Sequence, residues 1–455
     1  MPQHTPPFLI TEEWPTPIVR DFDVFLDAVA QPTAFLTQAK RTLDRASLYA
    51  ANANVLTFQS EAHPRMDQEY YALLNLFQRV CIAARLHVPG IEKGKLRMPP
   101  TESLARFRAL KPAERYLALL EAVWVDCDWE DLRTKHSRTH SLAFAELPEL
   151  LASVPASKEF RAQGRSGKSL SRRLSAVFRM PDAVRILSFF GFLACTPAPE
   201  SRRAAYYKGE FEIASLTLSP LGKEFLTVIA AERPYEDWNQ PLHRGGGDVA
   251  FSPLGFLLED DDEDEPEEEP IEAAELSADE GDATPSEPFW QAFRPLLPEG
   301  AVTQGLPRIE RELKDQTFVF RVSLAWAPRD ADAASRTIAL SSEHTLDDLH
   351  LAIQSAFKFD NDHLYAFYMD GKRHSRNAYN DPRGGESPFA DDAPLGLLDL
   401  FPRQRILYLF DFGDGWQFDV ELLEVRDEHH KGRPKVIEKT GEAPEQYPSY
   451  EEDDE

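Results

Sequence analysis

Three side chains in the C-terminal third have the types and spacing that acid–base or metal chemistry requires. His363 precedes an apolar run, and Asp411 and Asp414 both lie within YLFDFGDGW at 408–416. An imidazole and two carboxylates can hold a divalent metal or act as acid and base. The carboxylates also suit a structural role, because Asp side chains in turns accept hydrogen bonds from nearby backbone amides. The sequence leaves both interpretations open.

Complete catalytic motifs are absent from the chain. Asp411-Phe412-Gly413 spells the metal-binding triplet of protein kinases, yet no glycine-rich loop, strand lysine or catalytic-loop aspartate of that class precedes it. No Walker A, dinucleotide-binding GxGxxG, HExxH or GxSxG motif occurs either. We therefore predict no cofactor beyond a divalent metal at His363, Asp411 and Asp414. A protein without enzymatic activity is favoured, with a metal-dependent hydrolase or nuclease as the alternative.

The strands and helices predicted around these residues indicate an α+β domain, with a mixed and mostly antiparallel sheet and helices on one face. Runs of β-branched and aromatic residues predict strands at 318–326, 335–342, 363–371, 405–413, 416–425 and 434–441. Apolar spacing predicts helices at 344–359 and 393–401. Asp414-Gly415 between two apolar runs is a strong hairpin signal. Alternation predicts that the aromatic residues around this turn pack in the core: Phe410, Phe412, Trp416 and Phe418.

Three ordered blocks of this domain carry a family resemblance: HTLDDLHLAIQSAF at 344–357, DNDHLYAFYMDGK at 360–372 and LYLFDFGDGWQFDVEL at 407–422. They resemble the plasmid pRi open-reading-frame-three-like family, also labelled insertion-element passenger proteins of TnpR type. The resemblance covers about residues 305–448. It implies a bacterial, mobile-element-associated protein whose biochemistry is not established. Many members carry cysteines in the tail that corresponds to 441–448, and this chain has none there, so we expect no metal at the tail.

The TnpR label suggests a resolvase, and the residues do not support that activity. A serine recombinase needs a nucleophilic serine near its N-terminus and several arginines around the reacting phosphate. Ser47 and Ser60 are the serines within residues 1–60, and neither lies in an arginine cluster. We therefore interpret the label as genetic context.

The N-terminal half is predicted to be mainly helical, with winged-helix modules. Around residues 181–231 the pattern runs helix, strand, basic loop, strand and helix, which is the order of a winged-helix module. A weaker copy of this pattern covers 85–107. We assign residues 156–255 to a winged-helix module and residues 1–155 to a helical region with a degenerate winged helix.

Charge makes the second of these modules a candidate for binding double-stranded DNA. Residues 158–208 contain eleven basic and three acidic residues, a net charge of +8. Lysines and arginines that contact phosphates release counterions, which supplies most non-specific DNA affinity. The alternatives are a solvated basic face and a docking surface for the acidic linker described below. The predicted nucleic-acid-binding residues are Arg172, Arg173, Arg179, Arg202, Arg203 and Lys208.

An acidic stretch separates the two halves. Residues 259–287 contain sixteen acidic and no basic residues, and such self-repelling segments with little apolar surface are expected to be disordered. We predict a linker at 256–290, the C-terminal domain at 291–448 and an acidic tail at 449–455. The C-terminal domain is expected to recognise a protein or nucleic acid. The net charge of −27 therefore arises mostly outside the folded parts and does not exclude DNA binding.

The remaining composition narrows the class of protein. The three cysteines, Cys81, Cys127 and Cys195, form no CxxC pair, which argues against a disulfide framework and a thiolate-rich zinc site. Residues before Asp21 lack the pattern of a signal peptide, and no apolar run approaches the roughly 20 residues that span a bilayer. The sequence predicts a cytoplasmic protein with no membrane contact.

Overall fold

The fold consists of a helical N-terminal unit and a sheet-based C-terminal domain. A computed structural model describes residues 6–37, 41–132, 143–162, 176–198, 212–241, 287–308, 313–326, 334–375, 377–384, 388–428, 430 and 432–447. In the N-terminal unit the described helices are Ile18–Val29, Arg45–Asn54, Ala72–Ala83, Glu102–Ala109, Pro112–Glu121, Trp129–Leu132, Ala143–Ala152, Pro181–Phe189, Pro220–Glu232 and Tyr235–Trp238. The helix Pro112–Glu121 continues directly into a π-helical segment, Ala122–Asp126.

Apolar faces and capping residues explain why these helices form. The helix Ile18–Val29 buries Phe22 and Phe25, which pack against Phe77 with ring centroids 5.1 and 5.7 Å apart. Proline occupies the first turn of three helices, where its missing N–H leaves no hydrogen bond unmade. Asp44 caps Arg45–Asn54 by accepting hydrogen bonds from two backbone amides, which would otherwise lack partners at the helix start.

Two small sheets lie within the N-terminal unit. Strands β1 (Gly90–Glu92) and β2 (Lys95–Arg97) form a short antiparallel hairpin. Strands β3 (Glu159–Arg161), β4 (Leu193–Pro197) and β5 (Ile213–Leu218) form an antiparallel sheet in the order β3-β5-β4. The second sheet therefore pairs a strand from before the helix Pro181–Phe189 with the later of the two strands that follow it.

The C-terminal domain is built on a seven-stranded sheet. Its strands are β6 (Thr317–Trp326), β7 (Ser335–Ser341), β8 (Tyr365–Tyr368), β9 (Ala378–Asn380), β10 (Arg405–Phe410), β11 (Trp416–Arg426) and β12 (Lys435–Thr440). The order is β12-β7-β6-β11-β10-β8-β9, and all neighbouring strands are antiparallel. The α+β domain and its largely antiparallel sheet are thus confirmed. Strand β9 lies outside the strands that the sequence predicted.

The helix Leu346–Phe357 packs on this sheet and closes its main core. Thr345 and Asp348 form a reciprocal capping box at its start. Alternate residues of β10 face opposite sides, because successive side chains on a strand point to opposite faces. Ile406, Tyr408 and Phe410 join the core under the helix, whereas Leu407 and Leu409 join a smaller cluster.

The chain returns to the helical unit after the acidic stretch, before it enters the sheet. A 3₁₀ helix, Phe289–Leu296, buries Phe289 and Phe293 in the helical core. The ring of Phe293 stacks on Phe225 with centroids 5.1 Å apart, and Phe289 meets Trp238 at 5.7 Å. The structure therefore places residues 289–302 with the helical unit, whereas the sequence assigned 291–448 to the C-terminal domain. Burial of these aromatic rings explains the difference.

Two arginines and one aromatic ring join the N-terminal unit to the C-terminal domain. Arg85 Nη1 lies 3.1 and 3.0 Å from the two carboxylate oxygens of Asp399. Arg41 donates to the backbone carbonyl of Met369 at 2.9 Å and its guanidinium lies 5.0 Å from the centre of the Phe401 ring. Phe401 belongs to the helical core although it lies in the C-terminal domain.

Among the residues that the structure describes, no helix has both the length and the apolar character needed to cross a bilayer. The predicted linker lies mostly outside the described residues, since 242–286 is not among them, and the tail 449–455 lies wholly outside them.

Candidate functional site

The turn between β10 and β11 is held by Asp411. This residue has a left-handed backbone, with φ of 55°, and its Oδ1 accepts hydrogen bonds from the amides of Gly413 at 2.9 Å and Asp414 at 3.2 Å. Its backbone carbonyl accepts another from Gly415 at 2.6 Å. The hairpin signal is therefore confirmed, and one carboxylate oxygen of Asp411 has the structural role that the sequence left as an alternative.

The left-handed residue also reverses the side-chain alternation. Phe410, Trp416 and Phe418 are buried, as predicted, but Phe412 is 45% exposed at the tip of the hairpin. The prediction for Phe412 assumed that β10 continued to Gly413. The strand ends at Phe410, and the turn then points Phe412 to solvent.

His363 and Asp411 come together in space. His363 Nε2 lies 3.6 Å from Asp411 Oδ2 and 3.9 Å from Asp362 Oδ2, and its side chain is 44% exposed. Asp414 is exposed on the turn. No group of three or more His, Cys, Asp or Glu side chains is arranged to hold a metal within the part of the chain that the structure describes. A metal site at His363, Asp411 and Asp414 stays a prediction.

The C-terminal tail completes the surroundings of His363. Tyr447 donates to Asp362 Oδ2 at 2.6 Å, and Gln446 donates to Asp362 Oδ1 at 3.2 Å. Gln446 also binds both backbone groups of Asp360. The hydrogen bond from Tyr447 lowers the pKa of Asp362, and desolvation raises the pKa of Tyr447 to about 12. Sequence reasoning missed these tail residues, because nothing in their types indicates which loop they contact.

A buried polar network lies behind this cluster. His350 is fully buried; its Nδ1 is 2.7 Å from Tyr408 Oη and its Nε2 is 2.9 Å from Asn361 Oδ1. Gln354 donates to Tyr408 Oη at 2.7 Å, so the hydroxyl can donate to His350 Nδ1. His350 is then neutral, with its proton on Nε2. Burial lowers the pKa of His350 to about 4, which agrees with this arrangement.

Arg383 connects the network to the hairpin cluster. Its guanidinium donates to Asp381 Oδ2 at 2.6 Å and to the backbone carbonyl of His363 at 2.8 Å. The same group reaches Asn361 Oδ1 at 3.3 Å. The loop that carries His363 is therefore fixed from both sides by polar contacts. Near this loop, His363 Nε2 lies beside Asp411 Oδ2. This pair of atoms suits hydrogen bonding or proton exchange with a ligand.

Most of the predicted DNA-binding residues lie outside the described residues: Arg172, Arg173, Arg202, Arg203 and Lys208. Arg179 is described and is exposed, one residue before Met180, which precedes the helix Pro181–Phe189. Lys158 and Arg161, at the edge strand β3, are exposed as well. Among the described residues, the exposed cations of the basic surface therefore lie at the edge strand β3 and just before the helix Pro181–Phe189.

The helix Pro181–Phe189 itself has no fully exposed residue. The hydroxyl of Thr16 donates to the carbonyl of Phe189, and Tyr116 Oη donates to the carbonyl of Phe190 at 2.6 Å. A methyl group at Gly191 would lie 2.7 Å from Pro15. The N-terminal segment and a neighbouring helix therefore cover the C-terminal end of this helix.

Comparisons with known proteins concern the C-terminal domain. A curated relative, the uncharacterized protein y4hQ of Sinorhizobium fredii (strain NBRC 101917 / NGR234), is 30% identical over 102 residues, which is 22% of this chain. The chain spans 50% of the length of that relative. A crystal structure of a protein of unknown function from Methanosarcina mazei Go1 shares 22% identity over 29% of this chain and 72% of the other, with a TM-score of 0.24. The family model for plasmid pRiA4b ORF-3-like proteins matches residues 316–447, so the C-terminal domain is identified with that family.

Proposed function

We propose that the protein is a non-enzymatic, mobile-element-associated protein that binds double-stranded DNA through a winged-helix module in its N-terminal unit. The observation that carries this proposal is the sheet order β3-β5-β4, with the helix Pro181–Phe189 directly before β4. That arrangement is typical of winged-helix modules, in which the connection between the last two strands forms the wing. Here the connection includes Arg202, Arg203 and Lys208. The plasmid named in the family description supports the association with mobile DNA.

The covered helix determines the mode of binding that we propose. Direct readout in the major groove needs a helix with an exposed face, whereas each residue of Pro181–Phe189 is buried or half-buried. Exposed cations lie at the edge strand β3, Lys158 and Arg161, and just before the helix, Arg179. Phosphate contacts fix position without reading sequence. We therefore propose binding to the DNA backbone with little sequence preference.

The test is a titration of the full chain with a 20-base-pair duplex, followed by fluorescence anisotropy from low to physiological salt. Affinity should fall linearly on logarithmic axes as salt increases, and replacing Arg202 and Arg203 by Gln should reduce the slope by about 2. The same double change at Arg403 and Arg405, both exposed in the C-terminal domain, is the matched control and should leave the slope unchanged. Absence of binding at low salt, or equal effects of the two double variants, would contradict the proposal.

A further inference from the structure

Three connections of the C-terminal domain meet at one end of its sheet, because neighbouring strands are antiparallel. Strands β10 and β11 join beyond the pair Phe410–Trp416, and β8 begins opposite Phe410. Strand β12 ends opposite the first residue of β7, whose partner β6 ends opposite Gln417. Loops that a sheet holds at one end often form a binding surface. The loop surface of this domain consists of 358–364, 411–415 and 441–447.

Polar contacts hold these three segments against one another. The amide of Asp411 donates to the carbonyl of Leu364 at 2.9 Å, which joins the hairpin to the segment 358–364. Tyr447 Oη donates to Asp362 Oδ2 at 2.6 Å, and the rings of Tyr447 and His363 lie 6.4 Å apart. The loop surface is therefore preformed, and a preformed surface loses less entropy on binding.

Each of the three segments exposes a large apolar side chain. Leu364 is 39% exposed, Phe412 is 45% exposed and Tyr447 is 47% exposed. Single apolar side chains at a protein surface are common, whereas several in adjoining segments indicate a surface that a partner covers. The loop surface therefore has the apolar component that protein recognition requires.

Carboxylates surround these apolar side chains. The basic residue in the three segments is Lys358, and the exposed acidic residues are Asp360, Asp362, Asp414, Glu442 and Glu445. The adjoining segments 327–333, 385–387 and 448–455 lie outside the described residues, and their sequences contain eight acidic residues and one arginine. The loop surface and the sequence that adjoins it therefore carry negative charge, which favours a cationic partner and disfavours nucleic acid.

Several of these carboxylates lie close to aromatic rings. Asp362 Oδ2 and Asp411 Oδ2 lie 3.9 and 3.6 Å from His363 Nε2. Desolvation raises the pKa of Tyr447, and the hydrogen bond to Asp362 and the charges of Asp411 and Asp360 raise it further. Arginine suits such surroundings, because a guanidinium stacks on aromatic faces and also binds carboxylates.

We propose that the loop surface binds a basic, arginine-containing segment of a partner protein. The arginines pair with the exposed carboxylates, and apolar side chains of the segment pack on Leu364, Phe412 and Tyr447. This interaction goes beyond the proposed binding of DNA and does not depend on it, because it uses an acidic surface of the other domain.

The probes are three fluorescein-labelled peptides of equal length, made of three repeats of Arg-Leu-Gly, Gln-Leu-Gly or Arg-Gly-Gly. Fluorescence anisotropy with the full chain measures their affinity at about 0.15 M salt, where the Debye length of about 8 Å screens long-range attraction to other acidic segments. The Arg-Leu-Gly peptide should bind at least about tenfold more tightly than the Gln-Leu-Gly peptide. It should bind at least about threefold more tightly than the Arg-Gly-Gly peptide, which lacks apolar side chains.

One pair of double variants tests the charges of the loop surface. Asp360→Asn with Asp414→Asn should weaken binding of the Arg-Leu-Gly peptide by about threefold to tenfold, since two ion pairs at an exposed surface are lost. Asp391→Asn with Asp427→Asn removes the same charge from exposed positions of the same domain outside the loop surface and should leave affinity unchanged. Equal effects of the two double variants would show that only net charge attracts the peptide and would overturn the proposal.

A second pair of variants tests the apolar side chains. Phe412→Gln should weaken binding of the Arg-Leu-Gly peptide by at least about threefold at an unchanged melting temperature, because the replaced ring is exposed. Leu351→Gln is the matched control, since Leu351 is 46% exposed on the helix Leu346–Phe357, and it should leave affinity unchanged. Equal affinities of the Arg-Leu-Gly and Gln-Leu-Gly peptides, no binding of either up to about 1 mM, or normal binding by Phe412→Gln would also overturn the proposal.

Discussion

At the scale of single residues, the hydrogen-bond partners of each polar side chain in the C-terminal domain separate structural roles from chemical ones. Asp411 Oδ1 accepts hydrogen bonds from the turn amides, and Asp411 Oδ2 lies 3.6 Å from His363 Nε2. His350, in contrast, has both ring nitrogens paired inside the core. The sequence placed all three in family-like blocks, but it could not distinguish a turn carboxylate from a reactive one, because both need the same residue type.

Substitutions at Asp411 separate these roles. Asp411→Ala should lower the free energy of unfolding by about 1–2 kcal/mol, because it removes the acceptor of two amides and places alanine in a left-handed backbone. Asp411→Asn should be nearly neutral, because asparagine keeps an acceptor oxygen and tolerates this conformation. Urea unfolding measures both changes. An Asn variant as unstable as the Ala variant would show that the turn needs the negative charge of Asp411 and not only its hydrogen-bond acceptor.

His350 should make stability depend on pH. The pKa of His350 is about 4 in the folded chain and near 6.5 in the unfolded chain. Between these pH values the imidazole is therefore protonated in the unfolded chain and neutral in the folded chain. Stability should therefore fall as pH decreases from about 6.5 to about 4, by up to about 3 kcal/mol. Unfolding curves across this range, compared with those of His350→Gln, isolate the contribution. The variant should be less stable at pH 7 but should lose less stability on acidification; parallel curves would exclude this source.

At the scale of elements, local signals predicted most of the C-terminal domain. The helix Leu346–Phe357 begins at a capping box, and the β10–β11 hairpin contains an Asp-Gly turn. Both signals depend only on residues that are close together in the sequence. The three-residue strand β9 was missed, because it forms only by pairing with β8. The 3₁₀ helix Phe289–Leu296 was missed as well, although Phe289 and Phe293 lie four residues apart. Spacing indicates an apolar face, but only tertiary packing shows which core receives it.

The contact between Phe192, which directly precedes β4, and the helix Pro220–Glu232 is a test of packing between elements. A Cβ atom at Gly222 would lie 2.0 Å from the backbone oxygen of Phe192, so no side chain fits there. Gly222→Ala should destabilise the chain by about 1–3 kcal/mol or more, because the clash is with backbone rather than a movable side chain. Thermal unfolding followed by circular dichroism measures the effect. Gly384→Ala, where the nearest atom would lie at 3.9 Å, is the control and should change little.

At the scale of the whole molecule, the chain packs in the helical unit both before residue 242 and after residue 286, on either side of the acidic stretch. Trp238 and Phe289 meet at 5.7 Å, and the Arg233 guanidinium lies 4.4 Å from the centre of the Trp238 ring. Composition predicted the stretch but not this topology, since charge alone cannot show where the chain packs next. The C-terminal domain is joined to the helical unit through Arg41, Arg85 and Phe401.

Cleavage within the acidic stretch should therefore leave the molecule in one piece. With a specific protease site inserted after Glu265, the cut chain should elute from a sizing column as one species at the volume of the intact chain. The reason is that the second fragment still buries Phe289 and Phe293 in the helical core. Separate elution of two fragments without denaturant would show that the stretch is the joint between independent halves.

The contact between Trp238 and Phe289 also bears on how such chains can evolve. Because the chain before residue 242 and the chain after residue 286 meet at one aromatic pair, a longer or shorter segment between them leaves that contact of the helical unit unchanged. Insertions and deletions there cost little, since loop closure depends only weakly on length. Among relatives that share the helical unit, we expect the stretch to vary widely in length while both positions keep aromatic residues.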